Sequence, residues 1–157
     1  DAMTALYNRR AWTRFLEHEE GRCRRYGAAA CVIVVDLDGL KRINDDSGHA
    51  AGDELICRAG EALRKAARTV DVVARLGGDE FGVLCAECDV QHGRRLVERL
   101  RTALHEAGVD ASIGIACRRP DTGIQAAWEQ ADQQMYEEKK ARTRGGRAQP
   151  AGGRLAS

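Results

Sequence analysis

The chain has 157 residues, 43% of them hydrophobic and 31% charged, with a formal net charge of +1. That length suits one domain with its own core, and the composition excludes a disordered chain. The charge balance provides no bulk field to draw the molecule to nucleic acid, and no apolar run approaches the roughly 18 residues of a membrane span. No secretory leader opens the chain, so a cytoplasmic domain is expected. The chain begins at Asp1, without a methionine and inside a patterned segment, which reads as an excised domain with a partner domain upstream.

In chain order, Asn8 is a plausible N-cap for a helix over about 9–25, with Trp12, Phe15 and Leu16 at helical spacing, ended by Gly27. Ala30–Val35 is a β-branched apolar run of the kind that forms a buried strand, and it stops at Asp36-Leu-Asp38. A loop or short helix follows to Asn44, Gly48 and Gly52 punctuate the chain, and an amphipathic helix is expected from Asp53 to about Arg68. Val70–Leu76 and Glu80–Ala86 read as two strands joined by a Gly77-Gly78 bend, a hairpin signal. A helix over 91–107, a strand over 109–117 and a helix from Ile124 to about Lys140 complete the pattern. Residues 143–157, rich in Gly, Arg, Ala and Ser, read as a disordered tail, which leaves 1–142 as the domain.

The order contains βαββαβ, the ferredoxin-like split unit, so the expected fold is α/β (α+β) with a mixed central sheet flanked by helices. Cys31, Cys57, Cys85 and Cys117 fall in apolar patterns and are read as free thiols in a reducing cytosol. Cys85-Ala-Glu-Cys88 is formally a CxxC. No second pair completes a zinc site, and it is read as structural or incidental.

In this fold the end of the first strand can face the hairpin tip, which brings Asp36 and Asp38 towards Asp79 and Glu80. Clustered carboxylates repel one another unless a cation neutralises them. Hard oxygen ligands with room for water and phosphate suit Mg²⁺, and such a site calls for a phosphorylated substrate that glycine lets approach the backbone. Taken alone, Asp79 and Glu80 also read as solvated turn formers.

Gly77-Gly-Asp-Glu-Phe81 carries the name motif of the GGDEF domains, which are diguanylate cyclases, and the resemblance extends along the chain. Residues 1–10 resemble DxLTGLxNRR, with Met3 for Leu and Ala5 for Gly. Residues 36–44 resemble DLDxFKxIN, with Leu40 for Phe; Gly48–Asp53 matches GHxxGD; Ser112–Ala116 is similar to SIGIA; and 131–139 is similar to ADxALYxAK.

The resemblance implies an enzyme that joins two GTP molecules into cyclic di-GMP and releases two pyrophosphates. It implies two Mg²⁺ (or Mn²⁺) ions per site, held by Asp36, Asp79 and the carbonyl of Leu37. Asp79, Glu80 and Lys41 are implied as catalytic, with Glu80 assisting metal binding or 3′-hydroxyl activation. Asn44 and Asp53 would read guanine, although Asp53 also reads as a helix cap. Gly39, Leu40 and Lys41, with backbone N–H groups between Asp38 and Lys41, would hold the β- and γ-phosphates beside Lys139, and Gly77 and Gly78 would flank the nucleotide. Asp38 reads equally as a brace for its loop.

Arg68-Thr-Val-Asp71 is similar to the family's RxxD product-inhibition site, implying cyclic di-GMP binding at Arg68 and Asp71. Arg22, Arg24 or Arg25 would complete it. One departure is Thr143, which stands where the family carries a phosphate-binding Arg; Arg142 or Arg144 is the candidate substitute. Catalysis implies a homodimer brought together by an upstream sensory or dimerisation domain, with no nucleic acid or membrane partner. The alternative is a weak or inactive module that senses GTP or cyclic di-GMP.

Overall fold

The computed structural model describes residues 1–146. Five helices and four strands follow one another as α1 (Arg9–Tyr26), β1 (Ala30–Leu37), α2 (Leu40–Ser47), α3 (His49–Ala66), β2 (Val72–Gly77), β3 (Glu80–Ala86), α4 (Val90–Glu106), β4 (Ala111–Cys117) and α5 (Gly123–Gly146). The sheet order is β2-β3-β1-β4, the order of the ferredoxin-like split unit. All three strand pairings are antiparallel, so the expected mixed character rests on a parallel bridge from Tyr7 to Ala74 at the β2 edge.

β1 is central because it has nothing to offer solvent: Ala30 through Val35 are all buried. Its side chains alternate between two cores. Cys31, Ile33 and Val35 pack with Phe81, Val83, Leu63 and Leu100 under α3 and α4. Val32 and Val34 pack with Trp12, Leu16, Ala127 and Ala131 under α1 and α5. Each of the Val, Ile, Leu and Phe side chains among them contributes about 1.5–3 kcal/mol by leaving water. Close approach on the second face depends on glycine: a Cβ on Gly114 would lie 1.9 Å from the Ala131 carbonyl oxygen, so β4 and α5 touch backbone to backbone.

Caps set three of the helix boundaries. The Asn8 side chain accepts from the Ala11 N–H at the start of α1, and Gly27 ends that helix in the left-handed region at φ 65°. Asp89 caps α4 through the His92 N–H.

Several expectations are corrected. α3 starts at His49 rather than Asp53, since Gly48 at φ 84° makes the break and Gly52 lies inside the helix. α5 continues to Gly146, so 143–146 of the expected tail are helical; the remainder, 147–157, lies outside the described residues. Cys31 and Cys117 are not free thiols. They face each other across β1 and β4 and form a disulfide, a pairing set by register that spacing of 86 residues does not reveal.

Candidate active site

The hairpin turns on Gly78 and Asp79, with Gly77 pairing Glu80 and a register shift between Arg75 and Gly77. Gly78 sits at φ 34°, a conformation costly for other residues. Arg75 secures the turn from beneath: its guanidinium donates to the Gly78 carbonyl at 2.9 and 3.1 Å and contacts Asp1 at 3.4 Å. That gives Arg75 a structural task.

β1 meets this turn directly. Asp36 pairs with Glu80 in the β1–β3 register, and the Leu37 N–H donates to the Asp79 carbonyl at 3.0 Å. Asp36, Asp79 and Glu80 are thereby brought to one end of the sheet, as expected from the sequence. Burial pushes the Asp36 carboxyl above its usual range, and the charges of Asp79 and Asp38 add to the effect against the pull of Lys139. Glu80 is also raised, first by burial and then by Asp132, with Arg9 opposing.

Lys139 is placed on the carboxylates rather than over an open phosphate pocket. Its ammonium bonds Asp36 Oδ1 and lies 3.5 Å from the Leu37 carbonyl oxygen, two of the three acceptors expected to take a metal. Burial would depress the Lys139 amine, but Asp36, Asp79 and Asp38 outweigh it and the net shift is upward. The oxygen set therefore accepts a cation already. Among the described residues no three His, Cys, Asp or Glu side chains close around a point that could hold a metal.

Asp38 is a brace. Its carboxylate accepts from Ser112 Oγ at 2.9 Å and contacts Arg142 at 3.4 Å. Its N–H donates to the Asp110 carbonyl at 2.8 Å and is not free for phosphate, contrary to expectation. Gly39, at φ 74°, precedes α2 without a side-chain cap, leaving the N–H groups of Leu40 and Lys41 at an uncapped helix start. The Lys41 side chain is exposed beside them. Thr143 turns back onto the Lys139 carbonyl at 3.0 Å, whereas Arg142 reaches the site through Asp38.

The Asn44 Oδ1 is buried without a hydrogen-bond partner, an uncommon and costly state. It rests against Gly52, where a Cβ would lie 1.9 Å away. Asp53 is the next residue, exposed in the first turns of α3. The two residues read from the sequence as a guanine-reading pair are thus neighbours, with one unsatisfied acceptor.

The second expected site is differently disposed. Arg68 donates to both Asp71 oxygens at 2.8–3.2 Å and to the Ala86 carbonyl at 2.9 Å, and the Asp71 side chain is fully buried. A groove of about 750 Å³ opens beside them, and its further basic residues are Arg64 and Lys65. Arg22 and Arg24, named as completing arginines, instead pair with Glu19, Glu87 and Glu20.

Arg9 and Asp132, which flank Glu80 electrostatically, went unrecognised in the sequence. The available signal was spacing: Asp132 and Lys139 are seven residues apart on α5, two turns along one face.

A family model described as "Diguanylate cyclase, GGDEF domain" matches residues 1–145. The chain is 40% identical over 150 residues to the diguanylate cyclase DgcP of Pseudomonas aeruginosa, covering 90% of this chain and 22% of that protein. It is 33% identical over 150 residues to the probable diguanylate cyclase DgcC of Escherichia coli K12, with coverages of 90% and 40%. It therefore spans less than half the length of these two curated relatives. Among solved structures, the diguanylate cyclase SiaD of P. aeruginosa with its activator SiaC superposes with a TM-score of 0.85 at 28% identity, covering 90% of this chain and 58% of that one. The GGDEF domain of DgcB from Caulobacter crescentus, in complex with c-di-GMP, gives 0.85 at 26% identity and 90% coverage of both. Among the described residues no helix is long and apolar enough to cross a membrane.

Proposed function

The chain belongs to the GGDEF domain family of diguanylate cyclases, and from that premise we propose that it condenses two GTP molecules into cyclic di-GMP. The observation that carries this reading is the junction of β1 with the hairpin tip, where Asp36, Leu37, Asp79 and Glu80 meet. A fold alone would not suggest the chemistry; this constellation is what supports the reading.

The Asp36 and Asp79 carboxylates and the Leu37 carbonyl would hold Mg²⁺ or Mn²⁺, two ions per site. Bound there, the ions would supply charge for the α-phosphate and the leaving pyrophosphate, and would acidify the 3′-hydroxyl. The oxygen chemistry fits, since an internal ammonium already rests on two of these acceptors, Asp36 and the Leu37 carbonyl. The uncapped start of α2, at Gly39, Leu40 and Lys41, would bind the β- and γ-phosphates, joined by the Lys41 and Lys139 ammonium groups. Asn44, with its unsatisfied oxygen, and Asp53 would accept from the N1–H and N2–H₂ groups of guanine. Gly77 and Gly78 would leave space for the nucleotide.

Glu80, held above the usual carboxylate range by burial, would take the 3′-hydroxyl proton as the oxygen attacks the α-phosphorus of the facing nucleotide. The bond to pyrophosphate breaks as the new phosphodiester forms. Two such steps close the ring, so two copies must face each other, and the reaction is that of a homodimer. Cyclic di-GMP would inhibit at Arg68 and Asp71, displacing their mutual bonds. Cytoplasmic GTP and an upstream sensory or dimerisation domain belong to the same reading.

The test is incubation with GTP and Mg²⁺ at high protein concentration, with product separated by chromatography and dimerisation followed by sedimentation. Cyclic di-GMP from the parent chain and none from Asp79→Ala is expected. A dimer that binds GTP but makes no product would instead support the sensor reading.

A further inference from the structure

At the opposite end of β1 from Asp36 lies a second group of reactive side chains. Five residues separate Cys31 from Asp36, about 17 Å along a strand. Cys85, Cys31 and Cys117 stand in one row across β3, β1 and β4, so their side chains leave the sheet on the same face. Cys88 returns to that row from the turn after β3. The Cys31 sulfur lies 3.2 Å from the Cys88 carbonyl oxygen, and both the Cys31 and the Cys88 sulfurs lie 3.5 Å from the Asp89 carbonyl oxygen. Cys31 and Cys117 are oxidised to a disulfide, while Cys85 and Cys88 are thiols. A CxxC dithiol therefore packs against a disulfide in one buried cluster.

We propose that these four cysteines form a single redox site, in which one disulfide is exchanged between the Cys31–Cys117 pair and the Cys85–Cys88 pair. Cys88 sits just before the Asp89 cap of α4, at a helix N-terminus that favours a thiolate. Interaction with Cys85 lowers the Cys88 thiol and raises its own partner, as in a dithiol with one attacking and one resolving sulfur. The Cys88 thiolate attacks the Cys31 sulfur; the Cys31–Cys117 bond breaks, and the Cys117 thiolate takes up the proton that Cys88 gave. The Cys85 thiolate then attacks Cys88, forming the Cys85–Cys88 bond and releasing Cys31, which takes the Cys85 proton. Two electrons move between pairs, and no external oxidant is consumed. Cys31, Cys85 and Cys88 are shielded from solvent, and Cys117 is partly exposed, so an external dithiol reductant enters at Cys117.

The exchange changes what is tied together. One pairing fastens β1 to β4; the other fastens the end of β3 to the start of α4.

The experiment equilibrates the whole chain, folded, with graded mixtures of reduced and oxidised dithiothreitol. Samples are quenched with acid, alkylated with N-ethylmaleimide, digested without reduction and mapped by mass spectrometry. The expected result is that Cys85–Cys88 accounts for more than about a tenth of the singly bridged chains, as pairs of comparable potential require. Cys23 and Cys57 remain alkylated throughout and serve as internal controls. A Cys85→Ser/Cys117→Ser variant with native circular dichroism is expected to trap a Cys31–Cys88 bridge under mild diamide oxidation. Cys31–Cys117 as the sole pairing of the parent chain at every ratio would overturn the proposal. The map of the parent chain decides even if the variant does not fold.

Discussion

Replacing Gly52 by alanine would separate the fold from the proposed nucleotide recognition. The new Cβ would stand 1.9 Å from Asn44 Oδ1, 2.9 Å from Asn44 Cγ and 3.1 Å from Leu40 Cδ1. Real Cβ contacts essentially never fall below 3.0 Å, so the Asn44 oxygen must withdraw by about 1 Å. Gly52 is interior to α3, where alanine is favoured over glycine by about 1 kcal/mol. Moving the unpartnered Asn44 oxygen toward water also relieves a burial cost of about 1–3 kcal/mol. The variant should melt at or above the parent temperature. Guanine would lose a hydrogen bond to a displaced amide, which at about 1–3 kcal/mol weakens GTP binding about 5- to 150-fold. Calorimetric titration with GTP and ATP, beside a thermal melt, checks both halves. A variant that binds GTP as tightly as the parent, and still prefers it to ATP, would refute the assignment of Asn44.

Other expectations follow from the same geometry. Gly114→Ala would press a Cβ to 1.9 Å from the Ala131 carbonyl oxygen and 2.5 Å from the Met135 nitrogen, and backbone cannot yield as a side chain does. A loss of about 3 kcal/mol or more should appear in urea unfolding, and an unchanged midpoint would contradict the close contact of β4 with α5. Glu20 accepts from Arg118, Arg24 and the Ile124 N–H, and Arg118 above all holds its carboxyl down to about 2 from 4.5. Because the folded value is the lower one, this stabilisation is full above pH 4.5 and is lost as the pH falls towards 2. Discounted for partial exposure, it is about 1–2 kcal/mol. Glu20→Gln should therefore melt earlier than the parent at pH 7, with the gap closing on acidification; a pH-independent gap would count against the ion pair. Arg142→Ala should weaken GTP binding about tenfold, the worth of one charge-assisted contact, while Arg144→Ala leaves it unchanged. Titration calorimetry giving the reverse order would assign the substitute role to Arg144.

The sequence was most legible where one strong local signal decided the structure. The apolar run at Ala30–Val35 has no amphipathic alternative and became the central strand. Asn8, Gly27 and Gly77-Gly78 carry turn and cap chemistry that tertiary context left alone. Legibility failed where a residue's meaning depended on a distant partner. Gly52 reads as a break in the chain, yet it lies inside α3 and makes room for Asn44. Cys31 and Cys117 read as small hydrophobes because nothing local reveals the β1–β4 register. The Gly and Arg residues from Thr143 onward suggest a tail, but α5 continues through Gly146. At the site, the motif residues named Asp36, Asp79, Glu80 and Lys139 without disclosing that Lys139 would rest on Asp36, or that Arg68 and Asp71 would satisfy one another.

The resting place of Lys139 bears on how the site would fill. Because α5 brings its own positive charge to the crowded carboxylates, the fold supplies them with a counter-charge of its own. If metal binds there as proposed, a divalent ion arriving alone would have to evict an ammonium from Asp36, trading one cation for another at little net gain. One arriving with a nucleotide offers the evicted lysine a new anion to hold. On the proposed reading the site would act as an ion exchanger that favours metal and triphosphate together over either separately. Metal affinity measured without nucleotide should understate what the site achieves at work. Lys139→Met should tighten that bare affinity even as it weakens GTP binding, and equal weakening of both would speak against the exchange.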